Sequence, residues 1–124
     1  MLKRKILVVD DEEAMGKMVK FGLESMGPFE IQYESDGTRV LEAVRRFRPD
    51  LILMDIIMTP LDGSKLASDI KSDPLFRDTP IIFFTGTVTS HEIDDRGGSI
   101  GGQDFIAKPI ELKTLFERVQ KYLQ

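Results

Sequence analysis

DLILMDIIMTPLDG, residues 50–63, sets four consecutive apolar side chains, Leu51 to Met54, directly before a carboxylate, Asp55. An unbroken apolar run of this length is the pattern of a parallel strand covered on both faces. A carboxylate inside such a strand would lose its water without compensation, so Asp55 marks where the strand leaves the sheet and meets solvent. Open parallel sheets bind ligands just beyond the carboxyl ends of their strands. Asp55 is therefore the candidate reactive group, and the rest of the chain can be searched for what serves it.

Outward from that strand, the chain alternates two patterns. Ile6 to Val9 is a second continuous apolar run, and it also ends in acids, Asp10 and Asp11. Met15, Met18, Val19, Gly22, Leu23 and Met26 then fall on one helical face, with Glu12 and Glu13 at the positive end of the helix and Gly27 and Pro28 as its stop. The methionines are read as core filling. Phe29, Ile31 and Tyr33 alternate with polar residues, the period of a half-exposed edge strand. Asp36 caps a helix with Val40, Leu41, Val44 and Phe47 inward and Arg45, Arg46 and Arg48 outward on a solvated face. After the Asp55 strand, residues 62–72 read as a helix burying Leu66, Ala67 and Ile70. Ile81 to Phe84 is a third apolar run ending at Thr85, and Phe105 to Ala107 is a short fifth strand running into Lys108 and Pro109. Leu112, Leu115, Phe116, Val119 and Leu123 make a final amphipathic helix.

This alternation predicts a single α/β domain over residues 1–124: a doubly wound, flavodoxin-like, five-stranded parallel sheet of order 2-1-3-4-5 with helices on both faces. In that order Asp10, Asp11 and Asp55 converge at one sheet edge, and Thr85 and Lys108 close the same edge. Three crowded carboxylates repel one another, and relieve the repulsion by raised pKa values or by recruiting a hard divalent cation. A ligand set of oxygens alone suits Mg²⁺ or Mn²⁺. A carboxylate can attack a phosphoryl group to give an acyl phosphate, while a lysine and a metal neutralise the transferred oxygens and a threonine hydroxyl hydrogen-bonds one of them.

Composition narrows the partners. The 124-residue chain has no cysteine, which excludes a disulfide framework and thiolate metal sites and fits a reducing compartment. A net charge of -4 and a pI near 5.0 argue against direct nucleic-acid binding, whose footprint is basic. The apolar run after the basic start, Ile6 to Val9, is too short for a signal-peptide core, and no stretch approaches a membrane span. The expectation is a soluble, cytoplasmic protein without membrane contact.

VVDDE around Asp10 and Asp11, LILMD at Asp55, LDG at Asp62 and Gly63, FFTG at Thr85 and AKP at Lys108 together resemble the receiver domain of two-component response regulators, of the single-domain, chemotaxis-regulator kind. The resemblance spans essentially the whole chain with order and spacing intact. It implies that Asp55 accepts phosphate from a histidine kinase or phosphotransfer protein. Asp10, Asp11, Asp55 and the Ile57 carbonyl would hold Mg²⁺, and Lys108 would contact the phosphoryl group. Thr85 and Phe105 would form a switch pair that relays the change to a protein target or output domain. Such a protein is a phosphoacceptor that assists its own phosphorylation and dephosphorylation rather than an enzyme.

Some positions depart from the family pattern. Thr59 stands where a proline is common, with Pro60 one later, and the positions two after Asp55 and two after Thr85 are Ile57 and Thr87. His91 is read as a solvated residue near the start of a fourth helix, which carries Gly97, Gly98, Gly101 and Gly102. At about 1 kcal/mol per glycine, that segment is expected to be a short helix ending near Arg96 and followed by a mobile loop. The alternative reading is a receiver-like interaction module that binds a partner without phosphorylation.

Overall fold

The computed structural model describes residues 3–56, 62–85, 99–100 and 103–123. Five parallel strands lie in the order β2-β1-β3-β4-β6: β1 Arg4–Val9, β2 Phe29–Glu34, β3 Leu51–Asp55, β4 Ile81–Thr85 and β6 Gln103–Ala107. This is the expected order, with β2 at the edge as its alternating pattern requires. A sixth, two-residue strand, β5 Ser99–Ile100, was not expected. It pairs antiparallel with β6, Ser99 opposite Asp104 and Ile100 opposite Gln103. These two residues therefore correct the loop expected between Gly97 and Gly102. The fourth-helix expectation, with His91, otherwise falls on residues 86–98 and 101–102, outside the described residues.

Side chains two apart on a strand share a face, and this period divides the core in two. Leu7, Val9, Ile52, Met54, Ile81 and Phe83 pack with helix α2, Val40–Phe47, and α3, Gly63–Lys71, on one side of the sheet. Ile6, Val8, Leu51, Leu53, Ile82 and Phe84 pack with α1, Glu13–Met26, and the C-terminal helix, Leu112–Leu123, on the other. Both faces of β1 and β3 are thus covered, which is why these strands read as continuous apolar runs.

Local signals place the helices. Asp36 accepts from the Thr38 amide and caps a short 3-10 turn, Gly37–Arg39, that leads into α2. Asp62 accepts from the Ser64 amide at the start of α3. On α1 the expected inner face is corrected. Gly16, Val19 and Leu23 are its buried residues, while Met18 and Met26 are each 38% exposed and Met15 is half-buried. The helix is rotated so that its smallest side faces the sheet, where Tyr33 already fills the space, and so that Gly22 meets Leu112 of the C-terminal helix.

Candidate functional site

β1 and β3 pair from Ile6 opposite Leu51 to Val9 opposite Met54. One further step of that register sets Asp10 beside Asp55, so two carboxylates meet because two neighbouring strands end at the same level. Oxygens of Asp10, Asp11 and Asp55 all lie within 4.8 Å of one another. Asp10 is fully buried, Asp55 is 6% exposed and Asp11 is exposed, which corrects the expectation that Asp55 meets solvent: it is the last residue of β3, paired with Phe84, and Lys108 instead of water offsets its burial.

Lys108 follows β6, whose last residue, Ala107, pairs with Thr85 of β4. The Lys108 ammonium donates to Asp55 Oδ2 at 3.2 Å, stands 3.2 Å from Asp10 Oδ2 and lies 3.7 Å from Glu12 Oε1. Burial alone would lower the Lys108 pKa. The Asp10 and Asp55 carboxylates outweigh it and hold the ammonium above the ordinary lysine value. Burial pushes the Asp10 carboxyl up, and the Asp55 charge adds to this, against the Glu12 amide and Lys108, which favour the carboxylate.

Asp10 is oriented by its own turn. Its Oδ1 accepts from the Glu12 amide at 2.9 Å, at the entry to α1. Its Oδ2 is buried and accepts no hydrogen bond among the described residues, although the Lys108 charge is near. The Lys108 ammonium, 3.2 Å away, offsets part of the cost of burying this oxygen, and a bound cation would offset more. The donor set is oxygen only and its atoms are close enough to share one ion, so these residues fit a hard divalent cation.

Of the residues singled out from sequence, Asp10, Asp11, Asp55 and Lys108 come together. Thr85 is placed by its backbone at the end of β4. Phe105 is buried in β6 with its ring 5.5 Å from that of Phe83, on the face shared with α2 and α3. Ile57, with Thr59 and Pro60, lies outside the described residues.

Three contributors were not singled out. The sequence marks Glu12 only as a favourable charge at the helix start, yet it faces Lys108. The sequence marks Tyr33 only as an edge-strand residue, yet its hydroxyl donates to the Asp10 carbonyl at 2.6 Å. Burial, reinforced by the carboxylates of Asp10, Glu13, Asp11 and Glu34, pushes its phenol up to about 12. Gly16 provides the room for that ring. No spacing in the sequence links residues 16 and 33. Their contact depends on the β1–β2 register and on the rotation of α1.

Comparison with known proteins follows the same lines. The family model described as the response regulator receiver domain matches residues 6–120. The response regulator PleD of Caulobacter vibrioides is 34% identical over 124 residues, covering 96% of this chain and 26% of its own length. The DNA-binding response regulator MtrA of Mycobacterium leprae is 32% identical over 123 residues, covering 99% and 52%. This chain thus spans about half or less of the length of these relatives. Among solved structures, the chemotaxis response regulator CheY4 of Vibrio cholerae superposes with a TM-score of 0.82 at 26% identity, covering 98% of this chain and 99% of that one. Among the described residues, no helix is long and apolar enough to cross a membrane.

Proposed function

This chain belongs to the response regulator receiver domain family, and from that premise we propose that it is a phosphoryl-accepting signalling switch with Asp55 as the acceptor. The observation that carries the reading is the position of the Lys108 ammonium, 3.2 Å from an oxygen of Asp55 and 3.2 Å from one of Asp10. A cation held there meets the negative charge of an incoming phosphoryl group at the carboxylate that receives it.

In the proposed reaction an Asp55 oxygen attacks the phosphorus of a phosphohistidine on a kinase or phosphotransfer protein. The new P–O bond forms as the P–N bond breaks, the imidazole leaves and takes up a proton, and Asp55 becomes an acyl phosphate. Asp10, Asp11 and Asp55, with the Ile57 carbonyl as the resemblance implies, would hold Mg²⁺ or Mn²⁺. That ion, when bound, supplies positive charge for the phosphoryl oxygens. Lys108 supplies the second positive charge and keeps Asp55 oriented. Asp10 is held at Oδ1 by the Glu12 amide, and its Oδ2, beside Lys108, is the oxygen that would face the cation.

Thr85 and Phe105 are the proposed relay. Both lie on neighbouring strands that end beside the acceptor, and Phe105 packs on Phe83 two positions before Thr85. The change would pass to a protein target or output domain. We assign residues 1–124 to one receiver domain acting in the cytoplasm, a phosphoacceptor that assists its own chemistry rather than an enzyme with a separate substrate. The test is intact mass after exposure to Mg²⁺ and acetyl phosphate. Wild type should gain one phosphoryl mass and Asp55→Asn none. No gain in wild type would favour the interaction module that works without phosphorylation, and an equal gain in Asp55→Asn would move the acceptor elsewhere.

A further inference from the structure

The β1–β2 ladder weakens where the acidic turn begins. Val8 pairs with Tyr33 and Val9 with Glu34, and the last link, the Asp10 amide to the Glu34 carbonyl, is long at 3.3 Å. Beyond it, strand pairing no longer orients the main chain. The next main-chain acceptor, the Asp10 carbonyl, is taken instead by a side chain, through the 2.6 Å hydrogen bond from Tyr33 Oη. This bond holds the peptide that joins Asp10 to Asp11.

The tyrosine ring reaches that position only because residue 16 has no side chain. A Cβ built on Gly16 would fall against the ring, 2.5 Å from Cζ and 2.6 Å from Cδ1. Gly16 is buried at the end of the first turn of α1, and its amide donates to the Glu12 carbonyl at 3.0 Å. Glu12 in turn donates its amide to Asp10 Oδ1. Tyr33 is therefore clamped between the first turns of α1 and the turn that carries two of the three carboxylates. A glycine in a helix interior is unfavourable by about 1 kcal/mol relative to alanine, so its use here is a cost offset by the contact it admits.

We propose that Tyr33, seated on Gly16, is a positioning residue that holds the Asp10–Asp11 turn in its cation-binding geometry and so sets the divalent-cation affinity of the carboxylate cluster. The inference rests on reading that cluster as the metal site. Mg²⁺ demands near-octahedral geometry, so carboxylates that must be ordered on binding give weaker affinity than carboxylates already in place. Partners that orient metal ligands from behind typically change affinity by about 10–100-fold, and Tyr33 acts through one main-chain carbonyl, so the lower end applies.

The experiment measures metal binding alone, by Mg²⁺ calorimetry and by Mn²⁺ electron paramagnetic resonance, with circular dichroism showing each protein folded at the temperature used. Tyr33→Phe keeps the ring and removes the hydroxyl, and should weaken binding about tenfold. Gly16→Ala keeps the hydroxyl and displaces the ring, and should weaken it similarly. The double variant should lose little more than the worse single one, because both act through the same contact. A role confined to stability would shift thermal midpoints and leave the affinity of the folded protein unchanged. Wild-type affinity in a folded Tyr33→Phe protein would overturn the inference while leaving the metal site standing. Absence of ion binding in wild type, or binding unaffected by Asp11→Ala, would overturn the metal-site reading and this inference with it.

Discussion

Lys108 donates to Asp55 across the sheet edge, its Nζ 3.2 Å from Oδ2, and the same nitrogen lies 3.2 Å from Asp10 Oδ2. One cation thus serves two buried carboxylates whose mutual repulsion would otherwise stand. Removing one partner of a buried ion pair costs roughly 3–5 kcal/mol, and partial solvent access to Lys108, 19% exposed, places this case at or below the lower end. We expect Lys108→Ala to lose about 2–3 kcal/mol of stability in EDTA at neutral pH. Mg²⁺ should restore more stability to the variant than it adds to wild type, because it replaces the missing charge. Urea unfolding with and without Mg²⁺ checks both.

Asp11 gives the opposite sign. It is the exposed member of the cluster, so its removal relieves repulsion at little packing loss. Asp11→Ala should match or exceed wild-type stability in EDTA and lose most of the stabilisation that Mg²⁺ confers. Thermal midpoints across a Mg²⁺ titration report this. An unchanged Mg²⁺ dependence would remove Asp11 from the metal site.

Gly63 carries the start of α3 hard against the end of β3. Its amide donates to the Ile56 carbonyl at 2.8 Å, and a Cβ there would lie 2.8 Å from Ile56 Cα and closer still to the Asp55 carbonyl. Those neighbours are backbone and cannot rotate away. Gly63→Ala should therefore destabilise by about 1–3 kcal/mol although alanine is the better helix former. It should also slow phosphoryl uptake by shifting the residues that follow the acceptor. Urea midpoints and the rate of mass gain measure the two effects.

Asp36 offers a pH test away from the site. Its Oδ1 accepts from the Thr38 hydroxyl at 2.6 Å and from the Thr38 amide at 2.9 Å, and these bonds hold the carboxyl below the usual aspartate range. A depressed folded pKa contributes stability that is present above the unfolded value and is lost as pH falls through the folded one. Asp36→Ala should therefore flatten the acid limb of the stability profile and leave its slope above pH 5 or so unchanged. Carbon-detected titration of the Asp36 carboxyl gives the shift directly.

The strand order and the convergence of Asp10, Asp55 and Lys108 were legible in the chain because both follow from short-range pattern. Apolar runs such as Ile6 to Val9 and Leu51 to Met54 fit strands buried on both faces, and the acids that end them mark the sheet edge, although Asp10 and Asp55 are themselves buried there and are offset by Lys108 rather than by water. The edge position of β2 followed likewise from the alternation of Phe29, Ile31 and Tyr33. The tertiary structure decided which part of each helix meets the sheet. Hydrophobic periodicity gives the width of an apolar stripe but not the rotation that packing selects within it. On α1 that rotation buries Gly16 and leaves Met18 and Met26 half in water, because Tyr33 already occupies the space a larger side chain at residue 16 would need. The link between Tyr33 and the Asp10 carbonyl and the approach of Glu12 to Lys108 arise the same way, as does the pairing of Ser99 and Ile100 with β6. Each joins residues whose separation in sequence carries no signal, and exists only once strand register and helix rotation have brought them to one place.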